Sequence, residues 1–215
     1  MQQLWPPLIQ SLRIALLATL GAAAIAIPLA YLLSRKKFPG KAAIESLLML
    51  PLVLPPTLVG YFLLVLLGHH GLISGPFHFS IIWKWYGAAL AAGVVAFPLL
   101  LMPARAAFAA VDRELEDVSR LMGANRLQVF WHISLPLASR GIASGILLAF
   151  ARAMGEFGAT VMVLGIQENT RTLPIFVYEQ YYSFDTTGLG VAVLLMLIVT
   201  LVIVVIYNRL PAVRV

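Results

Sequence analysis

Arg152 and Glu156 stand four residues apart, one helical turn, inside an otherwise apolar stretch of the chain. Charges at membrane depth are expensive and ordinarily face a partner or a wet cavity. Two chemistries follow. The pair could line a pathway near a gate, with Arg152 meeting a passing anion. Alternatively it is an internal ion pair that fixes one helix against its neighbours. The second is favoured, because Glu156 neutralises Arg152 and repels an anion. Thr57 belongs to the same question. It follows Pro51, Pro55 and Pro56 and precedes Gly60, and three prolines remove backbone donors and kink or break a helix. A broken helix beside a pathway exposes backbone groups and a hydroxyl to substrate. A kink that serves packing alone explains Thr57 equally well.

Chemistry absent from the sequence narrows the field. There is no HExxH, no GxSxG and no acidic pair within the apolar stretches, which disfavours an intramembrane enzyme built on those motifs. Gly40-Lys41 is followed by Ala42 and lacks the upstream glycine of a G-x-x-x-x-G-K-[ST] loop, so the chain carries no phosphate cradle of that type. His69, His70 and His78 share one loop, but their spacing specifies no convergent metal site. No catalytic residue, metal ligand or cofactor is assigned to this chain. Cysteine is absent, which excludes disulfides and thiolate metal sites without naming a compartment.

The elements that hold these residues are membrane spans. Of 215 residues, 61% are hydrophobic and 11% charged, and mean hydropathy is +0.93; a soluble domain carries about 25% charged residues. Apolar stretches at 8–33, 47–67, 87–110, 141–166 and 189–207 are each long enough for a hydrocarbon core that takes about 20 helical residues. The expected fold is therefore all-α and integral to the membrane, one domain over 8–208 with about five transmembrane helices. The first stretch lacks the cleavage pattern of a removable signal peptide. Charge sets the expected orientation. Arg35, Lys36, Lys37 and Lys41 follow the first stretch, Arg113, Arg120, Arg126 and Arg140 follow the third, and Arg209 and Arg214 follow the last. Lys and Arg are retained on the cytoplasmic side, which puts the N-terminus outside and the C-terminus inside. Trp5, Trp83, Trp85, Tyr86, Tyr178, Tyr181 and Tyr182 then gather at the outer interface. The net charge of +6 resides mostly in the inner loops, opposite anionic lipid and partner proteins, and calls for no nucleic acid.

Residues 111–139 form the longest inner connection. Asp112 is placed to cap a helix whose Leu115, Val118 and Met122 share one face, and Gly123 sits where a C-terminal cap wants positive φ. A second amphipathic segment, 126–134, follows with Leu127, Phe130, Trp131 and Ile133, and Leu135-Pro136 is expected to end it. The loop reads as two short helices hinged at glycine. A surface hairpin packed under the membrane accounts for that pattern as well as a docking knob does. Beyond the fourth stretch, TLPIFVYEQYY in the second outer loop is expected to form a short helix.

Here the sequence resembles the permeases of bacterial ABC importers, whose cytoplasmic loop reads E-A-A, three residues, G, nine residues, I-x-L-P. This chain has Asp117-Val118-Ser119, three residues, Gly123, nine residues, and Ile133-Ser134-Leu135-Pro136. The glycine and the I-x-L-P end match in type and spacing, while E-A-A has drifted to D-V-S. FPGK at 38–41, LPLVLPP at 50–56, VGYFLLV at 59–65, FARAMGEFGAT at 150–160 and TRTLP at 170–174 look like the molybdate branch, with sulfate and tungstate permeases as near relatives. The resemblance implies a type I importer fold. It implies that Asp117, Val118, Ser119, Gly123, Ile133, Leu135 and Pro136 couple to an ATPase. The implied partners are two copies of a cytoplasmic ATP-binding subunit, which carry the ATP and Mg, a second permease copy as homodimer, and an external oxyanion-binding protein. A secondary transporter, which would work without other gene products, is the reading of another class.

Overall fold

The computed structural model describes residues 4–68, 71–73, 82–166, 171–184 and 186–209. His69, His70, His78 and Arg214, together with Thr170 of the TRTLP segment, lie outside them. The elements in chain order are α1 (Trp5–Arg35), α2 (Lys41–Val53), α3 (Pro56–Leu67), α4 (Trp85–Ala110), α5 (Arg113–Leu121), α6 (Arg126–Val129), a π-helical turn (Phe130–Ser134), α7 (Leu135–Met154), α8 (Gly158–Leu164), α9 (Leu173–Tyr182) and α10 (Thr186–Arg209).

α1 and α4 form the centre. Each buries a stripe of small residues: Ala15, Ala18, Ala22, Ala26 and Ala30 on α1, and Ala88, Ala92, Ala96, Ala104 and Ala107 on α4. Small side chains let helix backbones approach closely where lipid supplies no hydrophobic drive for association. The two helices run parallel. Arg13 lies over the Trp85 ring at 3.8 Å near one end, and Tyr31 meets Phe108 edge-on at 5.4 Å near the other. A parallel pair requires the intervening chain to return across the bundle. That return is made by α2 and α3, which are bent 111° from one another at a short break. Counted as one broken span, they complete the five expected crossings with α1, α4, the 126–154 rod and α10. Pro55 and Pro56 account for the break, since neither has a backbone N–H to continue the α2 ladder.

The fourth span differs from expectation. The predicted helix over 141–166 is instead a rod from Arg126 to Met154, followed by a break and the separate α8. At its head, Leu135-Pro136 does not end the second amphipathic segment. The Leu135 N–H reaches back to the Phe130 carbonyl in an i→i−5 bond. This widening lets the helix continue past a proline ring that would collide with the carbonyl four residues earlier.

α9 is the helix expected in the second outer loop. It buries Leu173, Pro174, Ile175 and Phe176, and its Leu173 N–H donates to Ser11 Oγ on α1 at 2.7 Å.

Candidate functional site

Two groups of candidate residues occupy different parts of the bundle. The first is the 111–139 loop, at the end where α1 and α4 terminate. Asp112 caps α5, its carboxylate accepting from Glu114 N–H at 2.9 Å. Gly123 takes φ +96°, and apart from its own chain neighbours no atom lies within 4 Å of where its Cβ would be. Crowding therefore plays no part; the left-handed backbone alone calls for glycine there. Asn125 and Gln128 then form a reciprocal capping box that starts α6. The hinge between two helical pieces is as expected, except that the second piece is the head of a span.

Of the two arrangements open to α5, a face packed under the membrane or a face offered outward, the structure has the second. Leu115, Val118, Leu121 and Met122 are all exposed, Leu121 at 89%. They do not pack beneath the bundle. The one buried residue of α5 is Glu116, at 2% exposure. Its Oε1 accepts from Arg35 Nε at 3.0 Å, Arg35 Nη2 at 2.7 Å and Ser134 Oγ at 2.6 Å, and its Oε2 lies 3.4 Å from Arg120 Nη2. Arg35 Nη2 also donates to the Val111 carbonyl at 3.2 Å. Of the motif residues, Asp117 is exposed and pairs with Arg120 at 2.8 Å. Val118 is exposed, Ser119, Ile133 and Leu135 are half-buried, and Pro136 is exposed. Sequence reasoning passed over Glu116, Arg35 and Ser134. The only signal for Ser134 was its place as x of I-x-L-P. Glu116 is hidden in the sequence among Glu114, Asp117 and apolar residues whose spacing marks a different face of the helix.

The second group surrounds the two helix breaks. Gly155 closes α7, Phe157 is the N-cap of α8, and Glu156 falls between them. Arg152 and Glu156 are thus not both mid-helix. Arg152 is in the last turn of α7, and Glu156 is in the gap. Their Nη1–Oε2 distance is 2.7 Å, an ion pair across the end of α7. The other oxygen, Oε1, accepts from Ala159 N–H at 2.7 Å. A carboxylate there satisfies an orphan donor and complements the positive helix end. Thr57, exposed in the first turn of α3, lies against Gly158: an added Cβ there would be 3.1 Å from Thr57 N, Thr57 Cγ2 and Pro56 Cβ. The two breaks are therefore packed on each other, and Thr57 is brought within two residues of Glu156.

Over residues 25–213 the sequence matches the family described as binding-protein-dependent transport system inner membrane component. The chain belongs to this family. The permease is 46% identical over 179 residues to the molybdenum transport system permease protein ModB of Escherichia coli (strain K12), covering 81% of this chain and 78% of that one. It is 36% identical over 204 residues to the sulfate transport system permease protein CysW of Synechocystis sp. (strain ATCC 27184 / PCC 6803 / Kazusa), covering 88% and 74%. A chain from the inward-facing MetNI methionine ABC transporter superposes with a TM-score of 0.75 at 18% identity, covering 97% of the permease and 94% of that chain. At that identity the likeness speaks to the fold alone.

Proposed function

We propose that the permease carries molybdate across the membrane in an importer driven by a separate ATPase, with the 111–139 loop as the coupling element. What carries the coupling reading is the inverted packing of α5. A helix that buries its glutamate and exposes Leu115, Val118, Leu121 and Met122 presents an apolar crest suited to a partner's groove. Molybdate is preferred to sulfate because identity to the molybdenum permease is 46% against 36% for the sulfate one. Tungstate shares the tetrahedral dianion chemistry and is the near alternative. Two ATPase subunits would move two loops, and two permease copies would enclose a pathway on their shared axis. An external binding protein would deliver the anion. The N-terminus lies outside, in keeping with the Lys/Arg distribution.

The test is uptake of labelled molybdate, tungstate and sulfate by vesicles holding the permease with its ATPase and binding protein. ATP-dependent uptake of molybdate in preference to sulfate is expected. Uptake by the permease without an ATPase would establish a secondary transporter instead. Orientation is checked separately in this cysteine-free chain. Cysteines placed at Lys37 and Gln128 should label only from the cytoplasmic side, and one at Ser183 only from outside.

A further inference from the structure

α5 has one buried residue, and it is an acid. The donors that Glu116 gathers come from the ends of several spans. Arg35 is the last residue of α1. Val111, whose carbonyl the same guanidinium holds, is the C-cap of α4. Ser134 closes the π turn that leads into α7. Beneath this junction Phe130 packs edge-on to Tyr31 of α1 at 5.0 Å and lies 6.1 Å from Phe108 of α4. Further cations tie down the same corner. Lys41 Nζ donates to the Leu33 carbonyl, and Arg113 Nη2 to the Ser34 carbonyl at 3.4 Å. The first turn of the loop is thus tied to α1 and the head of α7 through one carboxylate oxygen, and to the end of α4 by way of the Arg35 guanidinium, while its crest is exposed.

We propose that Glu116 is a positioning residue for transport: the rigid joint through which displacement of the loop turns the ends of α1, α4 and α7 together. This rests on the coupling role proposed above. Charge-assisted hydrogen bonds are short and about twice as strong as neutral ones, and several on one buried oxygen hold an orientation that apolar packing of so short a helix would not. The crest can then be displaced by a partner without rolling about the axis of α5. A joint that slips would let the ATPase bind and turn over without moving the spans.

The experiment uses the reconstituted permease–ATPase complex with its binding protein, reading molybdate transported per ATP hydrolysed, together with the amount of ATPase that co-purifies. Glu116→Gln keeps the shape and removes the charge. ATPase association should stay at the wild-type level, since the crest is untouched. Molybdate per ATP should fall about fivefold, the scale expected when charge-assisted bonds become neutral ones. Ser134→Ala removes one of the donors and leaves the ion pair, and should lower the same ratio by about twofold; it decides the matter if Glu116→Gln fails to fold. A purely structural role for Glu116 would reduce folded yield and leave the ratio in the folded fraction unchanged, which overturns the proposal. Gly123→Val separates the two levels. If it transports normally, the loop is not the coupling element. If it loses transport while Glu116→Gln and Ser134→Ala keep the wild-type ratio, the loop couples and Glu116 is not its joint.

Discussion

Glu116 and Glu156 are both 2% exposed, and both face an arginine at 2.7 Å. Their partners differ in range. Glu156 is held by Arg152 four residues before it and by Ala159 N–H three residues after it. It organises its own stretch of chain, bridging the α7–α8 break. Glu116 has a local partner as well, Arg120 four residues on at 3.4 Å from Oε2, but its shortest bonds are to Arg35, 81 residues away, and to Ser134, 18 residues away. It organises the meeting of separate elements. Burial alone therefore does not say what a charged group does in this permease; the sequence distance to its donors does. A locally satisfied acid repairs a backbone discontinuity, while a distantly satisfied one joins parts that are asked to move as a unit.

The largest effect should come from breaking the local pair. Glu156→Ala strands Arg152 and leaves Ala159 N–H without its acceptor. Removing one partner of a buried pair costs about 3–5 kcal/mol. Because the Arg152 side chain is 29% exposed, the loss should fall near the lower end. Adding Arg152→Ala should recover part of it, as read by thermal unfolding of the purified complex. A contrary pattern, in which each single variant folds normally and Arg152→Ala alone abolishes uptake, would place Arg152 on the anion pathway and end the comparison with Glu116.

The second variant concerns what lies around Glu156. Gly158→Val would push a side chain against Pro56 and Thr57, where even a Cβ comes within 3.1 Å. Overpacking of this kind costs about 1–3 kcal/mol. Because the α3 and α8 ends are pressed together there, the variant should destabilise the breaks without changing how much ATPase co-purifies. Loss of ATPase binding in a stably folded Gly158→Val would mean that the breaks and the loop are not separate regions.

Much of the architecture was legible because it depends on averages over many residues. Hydropathy alone located the stretches that become the four long apolar helices and the bent α2–α3 pair, the fourth with displaced bounds, and prolines marked the break at 54–55 that the structure contains. The glycine hinge was readable from one position, since a turn between two helical pieces wants positive φ and glycine adopts it at no steric cost. What was not legible depends on a single long-range contact. The spacing of Leu115, Val118 and Met122 identifies a face, but not whether the molecule turns that face inward or offers it outward. The choice is decided by Glu116 finding Arg35 and Ser134, and no local pattern in ELEDVSRL announces it. Dependence on context also displaced the fourth span. Leu135-Pro136 looks like a terminator until the π turn at 130–134 absorbs the proline. Gly155 looks like one more small residue in a helix until the Glu156 carboxylate is seen accepting from Ala159 N–H.

Third in size is Gly123→Val. Its φ of +96° is costly for any residue with a Cβ, by about 1–2 kcal/mol, and worst for a branched one. The cost should be confined to the loop, with five spans inserted normally by protease protection and ATPase association weakened. If association is unchanged, the loop's shape is not what the ATPase reads.

The smallest effect on stability should be the most informative about function. Leu121 is 89% exposed and has no reason in the isolated chain to be leucine. Leu121→Ser should change the unfolding temperature of the isolated permease hardly at all, since surface substitutions of this kind fall within about ±0.5 kcal/mol. If the crest is the face that enters a partner's groove, Leu121 is buried in the complex. Exposing or mismatching a buried leucine there costs on the order of 1.5–3 kcal/mol, or about one to two powers of ten in affinity. ATPase co-purification should fall accordingly, and transport with it, while the molybdate moved per ATP by the complexes that still form stays at the wild-type value. That last reading separates crest from joint. Glu116→Gln should keep association and lose the ratio; Leu121→Ser should lose association and keep the ratio. Should both variants change the same quantity, the division of α5 into a docking face and an anchoring face is wrong, and the buried acid and the exposed leucine act as one surface.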